Sequence, residues 1–539
     1  MQTRGVALRG PSDTALTRLV ADGVAQALAA KDPGLWGPEA EAEAAARLGW
    51  LDLPHESRAL LPRLAALVEG ARADGLDHIV LCGMGGSSLA PEVITRTAGV
   101  ELTVLDTTDP SSVRRALNDR LGQTLVVVAS KSGSTVETDS HRRAYRQAFR
   151  DADLSEAEVA RRFVAVTDPG SPLAALAEEQ GWREVVLAHP DVGGRYSALS
   201  AFGLVPSALA GVDVEALLDE AAALSPALDG DADNPGLVLG AALGGAAEAG
   251  RDKLVLADAG SGIAGFGDWA EQLVAESTGK QGRGILPVVV ESPDEAADAP
   301  DRHVVLLGGD APPEGTAVDG PLGGQLLLWE YATAVAGRVL GINPFDQPNV
   351  TESKDNTNAL LTRAHDEGGL AEPDPLLVDG DVEVHAEATL LGGATDLAGA
   401  LDALLAAVPD RGYLAVMAYL DRRAEHRAAV LRPALARRTD RVVTFGWGPR
   451  FLHSTGQYHK GGPQVGAFCQ VTGAVTDDLL VPGRPYTFGT LQAAQAAGDL
   501  AALTGRGRPA VRLHLRHREQ GLAQLLRVLG VPDDDEARA

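Results

Sequence analysis

The chain has 539 residues, of which 74 are acidic and 47 are Lys or Arg, so its net charge at pH 7 is −27. A negative field of this size repels other polyanions, which excludes nucleic acid and anionic membrane surfaces as expected partners. Hydrophobic residues make up 45% of the chain, and this length predicts a globular protein of about two to four domains.

The N-terminal part of the chain has the pattern of amphipathic helices. In "DTALTRLVADGVAQALAA" and "SRALLPRLAALVEGARADG", apolar residues recur at i, i+3 and i+4. We therefore predict a helical segment over residues 1–70.

From His78 onward, short apolar runs alternate with helical stretches. The runs are "HIVLCG", "LTVLDT", "LVVVAS", "FVAVTD" and "REVVLA". Continuous apolar strands that alternate with helices are typical of a parallel sheet covered on both faces. This pattern predicts a first α/β domain over residues 71–228.

The same pattern occurs twice more along the chain. After a linker at 229–235, "KLVLADAG", "ILPVVVE" and "HVVLLGGD" indicate a second domain over 236–365. After a Pro-, Asp- and Gly-rich stretch at 366–382, "YLAVMAYL", "RVVTFGWG", "GAFCQVTG" and "AVRLHLR" indicate a C-terminal lobe over 383–531. The predicted fold class is α/β, with three-layer αβα domains built on parallel sheets.

Cysteine content and apolar runs indicate where the protein resides. Cys82 and Cys469 are the only cysteines, so we expect no disulfide framework and a reducing compartment. The N-terminal "MQTRGVALRG" lacks an apolar core, and the longest apolar runs contain charges, so neither a secretory signal nor a membrane span is expected. A cytoplasmic location fits these features.

A cluster of hydroxyl side chains follows the predicted strand "LVVVA". In open α/β sheets, ligands bind beyond the carboxyl ends of the strands, and a helix N-terminus favours an anion. We predict that this loop, which runs into a helix starting near Asp139, binds phosphate through neutral donors. The alternative is simple helix capping in a serine-rich turn. The candidate residues are Ser130, Lys131, Ser132, Ser134, Thr135 and Thr138.

A second loop has the same placement after the strand "HIVL". In "CGMGGSSLAPEV", the glycines Gly83, Gly85 and Gly86 allow close approach of backbone to a ligand, and Ser87 and Ser88 can contact it. A nucleotide site is the usual alternative for a glycine-rich turn. However, the spacing is not GxGxxG, and no Walker motif follows.

Together, these loops resemble the sugar-isomerase (SIS) fold, a phosphosugar-binding α/β unit. Four further segments resemble motifs of the glucose-6-phosphate isomerase family: "GGRYSALSAFGLVP", "EQLVAESTGKQGRGILP", "NPFDQPNVTESK" and "LHSTGQ". The resemblance covers most of residues 78–360 and a patch near 453, and extends to the isomerase portion of transaldolase fusions. It implies interconversion of glucose 6-phosphate and fructose 6-phosphate through a cis-enediolate, without a cofactor, in a possible homodimer.

The resemblance assigns the proton transfer to Glu276 in "VAESTGK". A carboxylate suits transfer between adjacent carbons if burial brings its pKa towards neutrality. Gln272, one helical turn earlier, resembles a residue that contacts the sugar phosphate. Arg195 in "GGRYS" would stabilise the enediolate with its fixed charge, although a structural ion pair is the alternative.

Three further residues complete the implied site. Lys354 resembles the family's active-site lysine, and Gln347 resembles a glutamine that binds the sugar or its phosphate. Asn349 stands where the family usually has glycine, a mild departure because Asn tolerates positive φ. His453 resembles the histidine that opens the sugar ring, since an imidazole can both give and take a proton near neutral pH.

The order of these motifs departs from the family. There the histidine precedes the lysine, whereas here His453 follows Lys354 and belongs to the predicted C-terminal lobe, with His459 as a nearby rival. The helix "YTFGTLQAAQAAGDLAAL" echoes "GGQLLLWEYATAVAGRVLG", which suggests a partial duplication of the isomerase unit. In the family the histidine comes from a neighbouring subunit, but here the C-terminal lobe could supply it within one chain.

Two alternatives remain open at this point. A broader isomerase that also accepts mannose 6-phosphate would use the same residues. A regulatory SIS protein would bind a sugar phosphate without turnover, but it would not explain Glu276, Arg195 and Lys354 in their motifs. No metal site is predicted, because "HSTGQYH" is a poor zinc spacing without carboxylate or cysteine support.

Overall fold

The structure is a computed structural model of the chain. It describes residues 11–231, 233–349, 351–367, 370 and 373–532, excluding the side chains of 351–354 and 367. These residues divide into two compact units. The first unit contains the described residues of Met1–Asp106, Leu117–Gln347 and His453–Tyr458, and the second those of Thr107–Ala116, Pro348–Leu452 and His459–Ala539.

The first unit begins with helices, as the apolar periodicity predicts. The part of that prediction that covers residues 1–10 lies outside the described residues. Buried side chains such as Leu19, Leu28, Trp50 and Leu64 place these helices on the core of the unit. The helices are α1 (Pro11–Ala21), α2 (Val24–Ala29), α3 (Glu41–Ala45), α4 (Leu53–Glu56) and α5 (Leu61–Ala73).

A five-stranded sheet follows, in the order β2-β1-β3-β4-β5 with every pair parallel. All six residues of its central strand are buried, as expected for a sheet covered on both faces. The five predicted strands are confirmed. They are β1 (His78–Gly83), β2 (Thr103–Leu105), β3 (Thr124–Ala129), β4 (Phe163–Thr167) and β5 (Glu184–Leu187).

Helices occupy the connections of this sheet. In its crossovers lie α6 (Leu89–Ala98), α7 (Pro110–Asn118), α8 (Val136–Asp151), α9 (Glu156–Ala160) and α10 (Pro172–Glu179), and α11 (Ala201–Ala210) follows the last strand. Most of α7 groups with the second unit.

A second parallel sheet completes the first unit, in the order β7-β6-β8-β9. Its last strand was not predicted from the sequence. The elements are α12 (Val214–Leu228), α13 (Pro235–Glu248), β6 (Lys253–Asp258), α14 (Phe266–Thr278), β7 (Leu286–Val289), β8 (Arg302–Leu307), β9 (Thr316–Val318) and α15 (Leu322–Leu340).

Glycines in α13 allow it to pack closely on α15. A Cβ at Gly240 would lie 2.5 Å from Val335 Cγ1, and one at Gly244 would lie 2.6 Å from Val339 Cβ. Small residues spaced four apart therefore form a smooth face against the large side chains of α15. One continuous apolar core joins these helices to both sheets of the first unit.

The second unit has its own apolar core and a six-stranded sheet in the order β10-β11-β15-β14-β12-β13. Its four later strands are parallel and match the prediction, whereas β10 and β11 are antiparallel and were not predicted. The strands are β10 (Leu377–Asp379), β11 (Val382–Ala386), β12 (Tyr413–Tyr419), β13 (Val442–Trp447), β14 (Gly466–Gly473) and β15 (Ala510–Leu515).

Seven α-helices are described between residues 351 and 528. They are α16 (Thr351–Glu367), α17 (Ala388–Leu391), α18 (Leu397–Ala406), α19 (Leu431–Ala436), α20 (Gly456–Gly461), α21 (Phe488–Thr504) and α22 (Arg518–Val528). Across the described ranges, none of the helices combines the length and apolarity that crossing a bilayer requires.

The two predicted linkers differ in the structure. The one at 229–235 joins α12 to α13 inside the first unit, while the stretch predicted at 366–382 includes the strand β10. The predicted domain boundaries stay a prediction, because the two fully parallel sheets, which were assigned to separate domains, lie in the same compact unit. Those boundaries are 1–70, 71–228, 236–365 and 383–531.

Candidate active site

Loops that follow β1 and β5 meet in the first unit because glycine lets their backbones touch. A Cβ at Gly86 would lie 2.0 Å from the carbonyl oxygen of Gly194. Gly85 has φ of +55°, and a Cβ there would lie 2.7 Å from Gln272 Nε2 and 2.8 Å from the carbonyl oxygen of His453. The predicted glycine loop thus packs against the three predicted segments that contain Gly194, Gln272 and His453.

Glu276 lies in the last turn of α14, with 14% of its side chain exposed. Gln272 is one turn earlier on the same face, as predicted, and its Nε2 donates to Glu276 Oε2 at 3.0 Å. The same Nε2 donates to the carbonyl oxygen of His453 at 2.8 Å. Arg195 Nη1 lies 3.4 Å from Glu276 Oε1. The carboxylate therefore sits between a neutral donor and a fixed cation.

Arg195 is held by neighbouring backbone and side-chain oxygens, and only 3% of its side chain is exposed. Its Nε donates to Ser277 Oγ at 2.8 Å, and its Nη1 donates to Gln347 Oε1 at 2.6 Å. Its Nη2 donates to the carbonyl oxygens of Pro344 at 2.7 Å and Asp346 at 3.0 Å. These contacts fix the guanidinium beside Glu276 independently of the Glu276 carboxylate.

His453 belongs to the first unit, although the chain on both sides of residues 453–458 belongs to the second. Gln457 Nε2 donates to the carbonyl oxygen of Gly279 at 2.9 Å, and Ser454 Oγ donates to Glu271 Oε1 at 3.4 Å. A Cβ at Gly279 would lie 2.5 Å from the Cα of Tyr458, so only glycine permits this packing. The segment is thus docked on the end of α14.

The imidazole of His453 pairs with Glu137, which sequence reasoning did not identify. The Nε2 and Oε1 atoms are 3.0 Å apart, and the Glu137 side chain is 5% exposed. Because a carboxylate only accepts hydrogen bonds, Nε2 carries the hydrogen in this pair and Nδ1 is left as the acceptor of a neutral ring. The pair therefore holds the imidazole in one orientation.

The predicted phosphate loop precedes Glu137. The helix α8 begins at Val136 rather than near Asp139, so the hydroxyl loop ends directly at the helix N-terminus. Ser130 Oγ and Thr135 Oγ1 are 2.9 Å apart. Thr138 is 2% exposed, and its Oγ1 has no hydrogen-bond partner among the described residues. The hydroxyls are therefore gathered at the positive end of a helix.

The other loop residues have partners of their own. Ser132 Oγ and Ser134 Oγ are 3.1 Å apart. Lys131 Nζ donates to Asp168 Oδ2 at 2.5 Å and forms an ion pair with it. A phosphate that binds here would compete with these contacts within the protein.

Three predicted residues are placed differently from the rest. Ser88 is fully buried, and its Oγ donates within its own loop to the carbonyl oxygen of Gly85 at 3.1 Å, while Ser87 is 9% exposed. Lys354 lies in α16 of the second unit, and its side chain is outside the described residues. The role of each of these residues stays a prediction.

The residues that sequence reasoning missed carry little local signal. An acidic residue such as Glu137 in the first turn of a helix is ordinary helix chemistry. Ser277 and Lys280 stand inside the quoted motif "AESTGK", and that position is the only sequence feature that could have drawn attention to them.

Comparison with known proteins gives consistent matches. The phosphoglucose isomerase family model matches residues 63–231. A glucose-6-phosphate isomerase from Rubrobacter xylanophilus is 30% identical over 390 residues, which cover 58% of this chain and 89% of that one. A probable glucose-6-phosphate isomerase from Haloarcula marismortui is 36% identical over 238 residues, which cover 43% of this chain and 52% of that one.

A solved structure of a hypothetical protein from Thermus thermophilus also matches, with a TM-score of 0.54 and 25% identity, over 64% of this chain and 96% of that one. The chain spans only 40–52% of the length of three of the curated relatives that it matches. For these three relatives, the similarity thus covers about half of the relative's length or less.

Proposed function

We propose, since the chain belongs to the glucose-6-phosphate isomerase family, that it interconverts glucose 6-phosphate and fructose 6-phosphate through a cis-enediolate. The observation that carries the proposal is the pairing of Glu276 with Arg195, with Gln272 bridging to the His453 segment. This arrangement combines a proton acceptor, a fixed positive charge and an imidazole, which are the groups that the reaction needs.

Ring opening is the first step of the proposed reaction. The His453 imidazole gives a proton to the ring oxygen and takes one from the anomeric hydroxyl. Glu137, whose Oε1 lies 3.0 Å from Nε2, holds the ring in one orientation. A pair of this kind supports a role for His453 as an acid and base rather than as a structural residue.

Proton transfer between C2 and C1 is the second step. Glu276 removes the C2 proton and delivers it to C1, while the proton of the O2 hydroxyl is transferred to O1, and these transfers convert the aldose to the ketose. The negative charge that develops on the enediolate oxygens is stabilised by Arg195, whose guanidinium is already fixed by Ser277, Gln347 and two backbone carbonyls. Because this cation is preorganised, it needs no rearrangement as the charge develops.

Binding of the sugar phosphate falls to the hydroxyl loop and to the two glutamines. Two buried polar atoms in this region, Thr138 Oγ1 and Gln272 Oε1, have no hydrogen-bond partner within the described ranges. A phosphate oxygen could accept from the former, and a sugar hydroxyl could donate to the latter. Such unmet groups support a site that is completed by a polar ligand.

The chain supplies its own histidine in this proposal. His453 contacts Glu137 of the same chain, so a neighbouring subunit is not needed to complete the site. We expect the activity per chain to stay constant on dilution to a monomer. A cytoplasmic location is also part of the proposal, and it rests on the two free cysteines, both buried.

Turnover of fructose 6-phosphate, coupled to the oxidation of glucose 6-phosphate, tests the function. The proposal expects steady turnover that falls by roughly 10²–10⁴-fold in Glu276→Gln. A protein that binds fructose 6-phosphate without forming glucose 6-phosphate would instead be a sugar-phosphate sensor. Turnover of mannose 6-phosphate at a comparable rate would extend the substrate range without changing the assigned residues.

A further inference from the structure

Lys280, two residues after α14, has its ammonium group buried in a ring of oxygens. Its side chain is 1% exposed. Its Nζ donates to the carbonyl oxygen of Asn343 at 2.7 Å, and to the carbonyl oxygen and Oδ1 of Asp346, both at 2.6 Å. Three acceptors thus match the three hydrogens of a protonated lysine.

These acceptors belong to the segment 343–347, which connects Lys280 to the proposed site. Asp346 offers its carbonyl oxygen to Lys280 and also to Arg195 Nη2, at 3.0 Å. One residue later, Gln347 Oε1 accepts from Arg195 Nη1. Two cations from different parts of the chain therefore hold the same short segment, and the side chain at its end reaches Arg195.

We propose that Lys280 is a positioning residue, whose ammonium clamps the segment 343–347 so that Gln347 and Arg195 stay beside Glu276. This inference rests on the proposed isomerase function. Lys280 itself does not touch the reacting atoms. It acts through the backbone carbonyls of a segment that has no regular secondary structure of its own.

The charges around Lys280 make the clamp sensitive to pH. Burial, and to a smaller extent the nearby Arg195, lower the pKa of Lys280 from 10.5 to about 8, while Asp346 and Glu276 act in the opposite direction. Below this pH the group donates three hydrogen bonds. As the pH rises through this value it loses one donor and its charge, so the clamp weakens.

Two substitutions separate the charge of Lys280 from its shape. Lys280→Met removes the donors and keeps an unbranched side chain, while Lys280→Arg keeps a charge that does not titrate below pH 12. We expect Lys280→Met to lower kcat/KM about 10²-fold, the loss typical of a catalytic group displaced by about 1 Å. We expect an alkaline limb near pH 8 in the wild-type kcat/KM profile, and we expect Lys280→Arg to remain active and to lack that limb.

Lys253 provides the matched control. It is also a buried lysine, 1% exposed, and it pairs with Asp252 Oδ1 at 2.6 Å in β6. Lys253→Met should lower thermal stability and leave KM and the alkaline limb unchanged. If Lys280→Met retained the wild-type kcat/KM and the same alkaline limb, the positioning role would be wrong.

Coupling to Gln347 tests whether Lys280 acts through the segment. If it does, Lys280→Met and Gln347→Ala remove parts of one arrangement, and the double variant should lose less activity than the product of the two single losses. A double variant that multiplies the two losses would show that Lys280 acts by another route.

Lysine NMR of the wild-type protein gives a readout that needs neither activity nor a variant that folds. The chain has only six lysines, so the Lys280 signal can be assigned and titrated. A midpoint near pH 8 supports the pH sensitivity of the clamp, and a midpoint near that of a free lysine overturns that sensitivity. Absence of isomerase turnover in the wild-type chain would instead overturn the proposed function, and the titration would still report on Lys280.

Discussion

Replacing Glu276 with glutamine removes the proposed base with little change of shape. The guanidinium of Arg195 should stay in place, because Ser277, Gln347 and two backbone carbonyls hold it without Glu276. The glutamine oxygen can still accept from Gln272 Nε2, which now donates to Glu276 at 3.0 Å. Binding of the sugar phosphate should therefore persist while proton transfer fails.

The expected size of this loss follows from general base catalysis. Removing such a base costs roughly 10²–10⁴-fold in rate, or about 3–5 kcal/mol in activation free energy. The assay is the exchange of the C2 proton of glucose 6-phosphate with solvent, measured beside KM. Asp268→Asn, at an exposed position in the first turn of the same helix, serves as the control and should exchange normally.

One result would refute the assignment. If Glu276→Gln exchanged the C2 proton at the wild-type rate, the base would be another residue, and the contact with Arg195 would be a structural ion pair. A rise in KM without a fall in kcat would likewise assign Glu276 to binding rather than to chemistry.

Three further predictions concern the other groups. Thr138→Val should raise KM for fructose 6-phosphate roughly 10–100-fold by removing a hydrogen bond to phosphate, while thermal denaturation shows no loss of stability because the buried Oγ1 has no described partner. His453→Ala should impair turnover of the cyclic substrate far more than that of an open-chain tetrose 4-phosphate; His459→Ala, which removes a buried ring packed on Tyr413, should lower stability without this selectivity. The pKa of Lys280 is about 8 in the folded chain and 10.5 in the unfolded chain. Between pH 8 and 10.5 the unfolded chain therefore holds more protons than the folded chain, and the free energy of unfolding rises with pH. Denaturant titrations should therefore show the wild-type chain gaining stability relative to Lys280→Met as the pH rises from 8 to 10.5.

The strands that the sequence predicted are those with enough buried residues to form an apolar run. The central strand β3 is buried throughout and was predicted within one residue of each end. The missed strands β9 and β10 are three residues long, and in the missed strand β11 the apolar residues are separated by Glu383 and His385, so none of the three forms a continuous apolar run of the predicted kind. Short edge strands depend on their neighbours for pairing, which a local pattern does not contain.

The site was predictable where one motif contains both partners. Gln272 and Glu276 are four residues apart, so helical spacing alone places them on one face. Glu137 and His453 are 316 residues apart, and no local pattern links them. That contact depends on the packing of the segment 453–458 against the end of α14 within the first unit. The absence of a side chain at Gly279 permits this packing, and the periodicity of helices or strands does not predict it.

The central claim is that this chain moves a proton between adjacent carbons of a sugar phosphate. The most direct measurement is an NMR time course of fructose 6-phosphate in deuterated water with the wild-type protein. The account predicts the appearance of glucose 6-phosphate with deuterium at C2, because the proton held by Glu276 exchanges with solvent in part of the turnovers. Binding of fructose 6-phosphate with neither conversion nor deuterium incorporation would contradict it.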